Sequence, residues 1–169
     1  MTSCSPRRTT RLCSVSESCP QSLPDELAAR AYARCLDACR KFDSSLEFDL
    51  EPRAVRVWWT DTSENHSEGL AVRIRAVLSA TQETPQGCLA IVSAGEPERV
   101  HWRGHRQKVY QLVAWGLQGA LPTRRSVVRH LCHNRLCLHP EHLRIGTQAQ
   151  NLFDQRQRRA GIGLIYEGL

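Results

Sequence analysis

The sequence predicts an α+β fold with an N-terminal helix, a central antiparallel sheet and a small metal-stapled strand–loop–strand–helix unit towards its end. Three observations carry that prediction. Apolar residues recur at helical spacing between residues 22 and 42 and alternate with polar ones from residue 53. Cysteines and histidines with metal-ligand spacing then fall between two short strand-like runs and a capped helix over residues 127–159. With 169 residues and 41% hydrophobic content the chain can fold as one domain, or one with an appendage, around a core kept modest by only 6% aromatics.

Residues 1–21 read as a flexible or metal-tethered segment, with Cys4, Cys13 and Cys19 among Ser, Arg and Pro. Residues 22–96 are expected to hold a helix followed by an antiparallel sheet. Ser22, Pro24 and Asp25 form a helix start, and Leu27, Ala31, Cys35 and Cys39 repeat every four residues on one face. Cys35 and Cys39 are then two buried thiols or, joined by Cys13 and Cys19, the ligands of a second zinc. In RAVRVWWT and LAVRIRAVLSA the period is two, which predicts strands bearing Arg56, Arg73 and Arg75 opposite their apolar faces. Such a ribbon fits a DNA major groove with those arginines towards the bases, although a solvated face reads the same way. A third strand begins at Cys88, a short strand and turn follow near residues 97–104, and KVYQLVAWGL is a helix.

Charge divides the chain. Residues 1–96 carry a net −2 and residues 97–169 a net +8, and Arg outnumbers Lys 21 to 2. The second half is the part that would attract a polyanion. No apolar run reaches the ~20 residues of a membrane span, and the first twenty residues, Ser- and Arg-rich, lack the apolar segment of a secretory signal. An intracellular protein is expected, nuclear in a eukaryotic host and cytoplasmic otherwise. There, eight cysteines serve better as ligands or buried thiols than as disulfides.

The stretch from Val127 to Arg159 carries the chemistry. Cys132, Cys137 and His142 offer three zinc-type ligands at matching spacings, and a closed structural site needs a fourth. Cys88, His133 and His139 are the candidates, with Cys88 best placed because it opens a strand. Thr147 and Gln150 have capping-box spacing, so a helix opens there and puts Asn151 in its early turns. The N-terminal end of that helix favours anions. His130 and Asn151 could together serve a hydrated divalent ion and a phosphate.

Strand, H-x-C-x4-C-x4-HL, strand, G-T and a helix with an early Asn resemble the ββα-metal nucleases, also called HNH or His-Me finger nucleases. Within them the stretch is most similar to the His-Cys box homing endonucleases of mobile introns. His130, Leu131, Cys132, His133, Asn134, Cys137, Pro140, His142, Leu143 and Asn151 carry the match. The resemblance implies a nuclease core over residues 97–160, zinc-stapled through Cys132, Cys137, His142 and Cys88, with Asn134 bracing the loop. It implies His130 as general base, which an imidazole of pKa ~6.5 suits, and Asn151 as the protein ligand of a single Mg²⁺. It further implies an assisting arginine, for which Arg103 is the first choice and Arg99 and Arg106 the alternates. A homodimer on double-stranded DNA is expected, cutting a pseudo-palindromic site to leave 5′-phosphate and 3′-hydroxyl ends. The apolar tail, residues 161–169, is a candidate dimer contact.

Two departures from the family pattern stand out. Arg129 occupies the position before His130, where many HNH nucleases have an acidic metal ligand, and residues 143–169 contain no Cys or His for a second zinc cluster. They keep two alternatives open: an inactive zinc-dependent DNA-binding protein, and a less specific HNH nuclease of restriction or toxin type.

Overall fold

A Pro in the first turn and two acids beside it start the first helix. In the computed structural model, which describes residues 22–43, 53–91 and 95–161, helix α1 spans Leu23–Arg40. Pro24 costs nothing there because the first-turn N–H is unpaired anyway, and Asp25 and Glu26 complement the helix dipole. Leu27, Ala28, Ala31, Cys35 and Cys39 form its buried face. Residues 1–21, with Cys13 and Cys19, and residues 162–169 of the tail lie outside the described residues.

The segments expected to be strands bearing Arg56, Arg73 and Arg75 are helices instead. Helix α2 spans Arg53–Asn65 and α3 spans Ser67–Ser79. The physical reason lies in the spacing of the bulkiest groups. Trp58, Trp59, Thr62 and Ser63 bury one stripe of α2, and Leu70, Ala71, Ile74 and Leu78 bury one stripe of α3, which is a 3.6-residue period. The intervening valines that suggested alternation, Val57 and Val72, are 58% and 53% exposed. No DNA-binding ribbon therefore exists at residues 53–80, and Arg73 and Arg75 sit on the exposed face of α3 while Arg56 is partly buried on α2.

Among the described residues the β-structure forms three two-stranded antiparallel ladders. Strands β1 (Gln82–Glu83) and β2 (Leu89–Ala90) pair across a turn in which Gly87 takes φ 71°. Cys88 is set at the end of that turn. Strands β3 (Arg99–Trp102) and β4 (His105–Lys108) form a hairpin whose two turn residues, Arg103 and Gly104, both have positive φ, 48° and 81°. A two-residue loop of that kind matches the twist of the strands it joins. Helix α4 (Val109–Gln118) follows and stops at left-handed Gly119. Strand β5 (Ser126–His130) pairs with β6 (Leu143–Thr147), which feeds α5 (Gln148–Arg159).

One core runs from Ala28 in α1 to Leu143 in β6, with α1, α3 and α4 packed together at its centre. Gly116 permits that approach: a Cβ there would lie 2.6 Å from Ile74 Cδ1 and 3.4 Å from Cys35 Sγ. Ring edges of Trp58, Trp59 and Trp115 meet in the same core. The core side of α4 thus supports β5 and β6, and the chemistry sits beyond them.

Candidate active site and metal centre

Strand β5 delivers His130 to the start of a loop whose backbone bonds are short and local. His133 N–H donates to the His130 carbonyl (2.9 Å), Cys137 N–H to the Asn134 carbonyl (3.0 Å), and Leu131 N–H to the His142 carbonyl (2.9 Å). Asn134 Oδ1 accepts from Leu136 N–H at 3.0 Å, an Asx turn that shapes the loop between the two cysteines. Leu138 N–H donates to the Leu89 carbonyl at 2.7 Å and so ties the loop to β2 beside Cys88. The loop closes in a 3₁₀ turn, Pro140–His142.

That folding converges four ligand-type atoms. Those of Cys88, Cys132, Cys137 and His142 all lie within 4.8 Å of one another. His142 Nδ1 is 3.4 Å from Cys137 Sγ and 3.9 Å from Cys88 Sγ. Tetrahedral zinc with S and N ligands puts neighbouring donor atoms roughly 3.5–3.8 Å apart, so the residues fit a structural zinc with little movement. Hydrogen bonding from Cys137, helped by Asn134, Cys88 and His142, draws the Cys132 thiol down to about 5, close to the thiolate that zinc binds. The Cys137 thiol goes up, because ionising beside Cys132 and under burial is unfavourable. Burial raises Cys88. Of the other candidates for the fourth ligand, His139 stacks on His142 and accepts a hydrogen bond from Glu141 N–H. His133 faces elsewhere.

A cleft of about 440 Å³ opens on the other side of the loop. His130 and Asn151 both line it, with His133, Arg135 and the Gln155, Arg158 and Arg159 side of α5. Thr147 caps α5 by accepting from Gln150 N–H (3.2 Å), while Gln150 Oε1 accepts from Thr147 N–H (2.9 Å). This box brings Asn151 to the cleft in the first turn. Nε2 of His130 is buried and has no hydrogen-bond partner among the described residues. Burial holds the imidazole below the ordinary histidine range, the Cys132 charge and the Cys137 backbone oppose that, and the Lys108 charge adds to it. The ring lies edge-on to Tyr110, centroids 4.6 Å apart, and Lys108 Nζ is 3.4 Å from Tyr110 Oη. The His130 ring lines this basic cleft, and a neutral imidazole there can take a proton from water beside a bound phosphate.

These features coincide with a recognisable unit. Residues 109–152 match the HNH endonuclease family. The chain thus carries an HNH unit, of the ββα-metal superfamily, running from α4 to the first turn of α5. It contains His130, the Cys132, Cys137 and His142 ligand set and Asn151, but not Cys88, which lies ahead of it. No curated protein and no solved structure gives a match.

The remaining expected residues are dispersed around the HNH unit. Arg103 sits at the hairpin turn, its guanidinium donating to Asp61 Oδ2 at 2.9 Å, in a separate depression lined by Trp58 and His105. Arg99 and Arg106 are exposed on the same hairpin and do not line the His130 cleft. Cys35 and Cys39 are buried in the α1 core, and no third ligand-type group joins them among the described residues. Sequence reading missed Lys108 and Tyr110, and it offered His133 as a zinc ligand where the structure places it in the His130 cleft. Lys108 and Tyr110 fall at a strand–helix junction whose position depends on the hairpin, so no spacing rule reveals them. His133 is marked by a non-glycine φ of 57°, a backbone feature invisible in the sequence.

Proposed function

We propose that this protein is a sequence-specific DNA endonuclease of the intron-homing, His-Cys box type, acting as a homodimer on double-stranded DNA inside the cell. The observation that carries the reading is the shared cleft of His130, with its unpaired buried Nε2, and Asn151, built on the HNH unit beside a Cys3His cluster.

In this reading the His130 imidazole takes the proton of the attacking water while Lys108 supplies positive charge beside the ring. Asn151 offers its side-chain oxygen, which has no hydrogen bond among the described residues, to a divalent ion. That ion, Mg²⁺ in the cell, would offset the charge gathering on the scissile phosphate and its departing 3′ oxygen. Zinc held by Cys88, Cys132, Cys137 and His142 would keep the His130 loop rigid. The β3–β4 hairpin is the surface that suits DNA. Register pairs Arg99 with Lys108 and His101 with Arg106, so four basic or imidazole side chains stand on one face. Val100, Trp102 and His105 turn to the protein. Like-charged groups directly opposite one another weaken a hairpin, and a bound polyanion relieves that repulsion.

The test is a Mg²⁺ titration on DNA carrying a cleavage site selected from a random library. The wild-type chain should cut both strands and leave 5′-phosphates. Asn151→Ala should bind the DNA equally well and cut on the order of 10²-fold more slowly, the range in which one positioned catalytic group contributes. Equal cutting by Asn151→Ala would remove the metal assignment. Retarded but uncut DNA at every Mg²⁺ and Mn²⁺ concentration would favour the inactive DNA-binding reading. Cutting without sequence preference would favour the restriction or toxin type.

A further inference from the structure

Helix α5 has an unusual attachment. It carries Asn151, yet its only buried residue is Asp154. Its larger apolar side chains, Leu152 and Phe153, are 44% and 58% exposed. The ordinary means of docking a helix, an apolar stripe against a sheet, is therefore missing among the described residues. What reaches Asp154 is Arg129, the residue directly before His130. Its Nε donates to Asp154 Oδ2 at 2.7 Å and its Nη2 to Oδ1 at 2.9 Å, a two-pronged pair with the carboxylate side chain 6% exposed and the arginine 17%. The guanidinium arm crosses β6 at Gly146, where a Cβ would stand 2.8 Å from Arg129 Cδ and 2.5 Å from Gln150 Oε1. The glycine gap, the arginine and the aspartate thus form one device.

We infer that the Arg129–Asp154 pair, passing over Gly146, is the clamp that docks α5 and so positions Asn151 against His130. Both catalytic candidates are sequence neighbours of the clamp: His130 follows Arg129 on β5, and Asn151 precedes Asp154 by one turn of α5. Successive strand residues point to opposite faces, so Arg129 engages the helix while His130 turns into the cleft. A bidentate charge-assisted pair fixes orientation as well as distance, which a single-pronged contact does not. The arginine at the position where many HNH nucleases carry an acidic ligand therefore has a positive role: it neutralises Asp154 and sets the helix that bears Asn151. Its catalytic consequence rests on the nuclease reading above, whereas the docking itself does not.

The zinc-loaded full chain and its Arg129→Met, Arg129→Lys and Asp154→Asn variants are compared by amide hydrogen exchange and by DNA cleavage. Arg129→Met and Asp154→Asn should speed exchange across residues 148–159 by about tenfold or more, with residues 109–118 and 126–137 unchanged. Arg129→Lys, keeping charge but only one prong, should fall between. Cleavage by the first two should drop on the order of 10²-fold in kcat with DNA affinity intact, and Arg129→Lys should recover part of it. Unchanged exchange in α5, or a uniform rise over the whole chain, overturns the clamp. Faster α5 exchange with undiminished kcat overturns its positioning role. Selective loosening of α5 in a chain whose wild type cuts no DNA upholds the docking and removes the nuclease reading instead.

Discussion

Replacing Cys88 by Ala tests whether a metal joins β2 to the loop that carries His130. Cys88 is 3% exposed and Cys137 fully buried, and their sulfurs stand with Cys132 Sγ and His142 Nδ1 inside one 4.8 Å cluster. Apparent binding energies of structural zinc in small peptides are roughly 10–16 kcal/mol for four ligands. Losing one ligand in four therefore removes about 3 kcal/mol, or on the order of 10² in zinc affinity. The larger effect is on geometry. Without zinc, the loop keeps only the Leu138–Leu89 bond to β2 and its own short turns. A displacement of about 1 Å at a catalytic group can cost 10²-fold in rate. Zinc is counted by mass spectrometry after dialysis against a competing chelator, alongside thermal unfolding and DNA cleavage. Wild type should retain one zinc per chain, and Cys88→Ala should release it at roughly a hundredfold lower chelator strength and lose cleavage. Two zincs per chain would bring in Cys13, Cys19, Cys35 and Cys39. A wild-type chain without zinc, or a Cys88→Ala chain that holds it as tightly, would refute the assignment.

Two further predictions follow from the packing and the hairpin. Gly116→Ala drives a methyl into Ile74 Cδ1 and the Cys35 sulfur. Urea unfolding should report a loss of about 1–3 kcal/mol, the usual cost of overpacking, with kcat unaltered per folded molecule. Arg99→Ala and Arg106→Ala should each flatten the dependence of log affinity on log salt by about one unit if they meet phosphates. Arg73→Ala and Arg75→Ala, on α3, are the comparison pair, and titrations at several salt concentrations separate the two surfaces.

The most legible part of the sequence was the part bound by coordination chemistry. A zinc site dictates both residue type and spacing, so Cys132, Cys137 and His142 declared themselves, and Cys88, the best-placed candidate for the fourth ligand, joins them in one cluster. The helix after β6 was legible for a similar reason, since Thr147 and Gln150 satisfy each other's backbone reciprocally. Residues 53–79 misled because Val, Ile and Arg alternate there over lengths that fit a strand or a helix. The bulkiest groups, Trp58, Trp59, Leu70, Ile74 and Leu78, keep the helical period, and their packing into the core with α1 and α4 decides between the two patterns. Arg129 read as a defect in the nuclease pattern because its partner, Asp154, lies far along the chain on another element. No helix among the described residues is long and apolar enough to cross a membrane.

Cleavage of DNA by the zinc-loaded wild-type chain and by His130→Ala, side by side in Mg²⁺, tests the central claim most directly. Wild type should convert supercoiled plasmid bearing its site to linear DNA, and His130→Ala should do so 10²–10⁴-fold more slowly, the span expected for a lost general base, while binding the same DNA. Equal cutting by the two proteins would contradict the account.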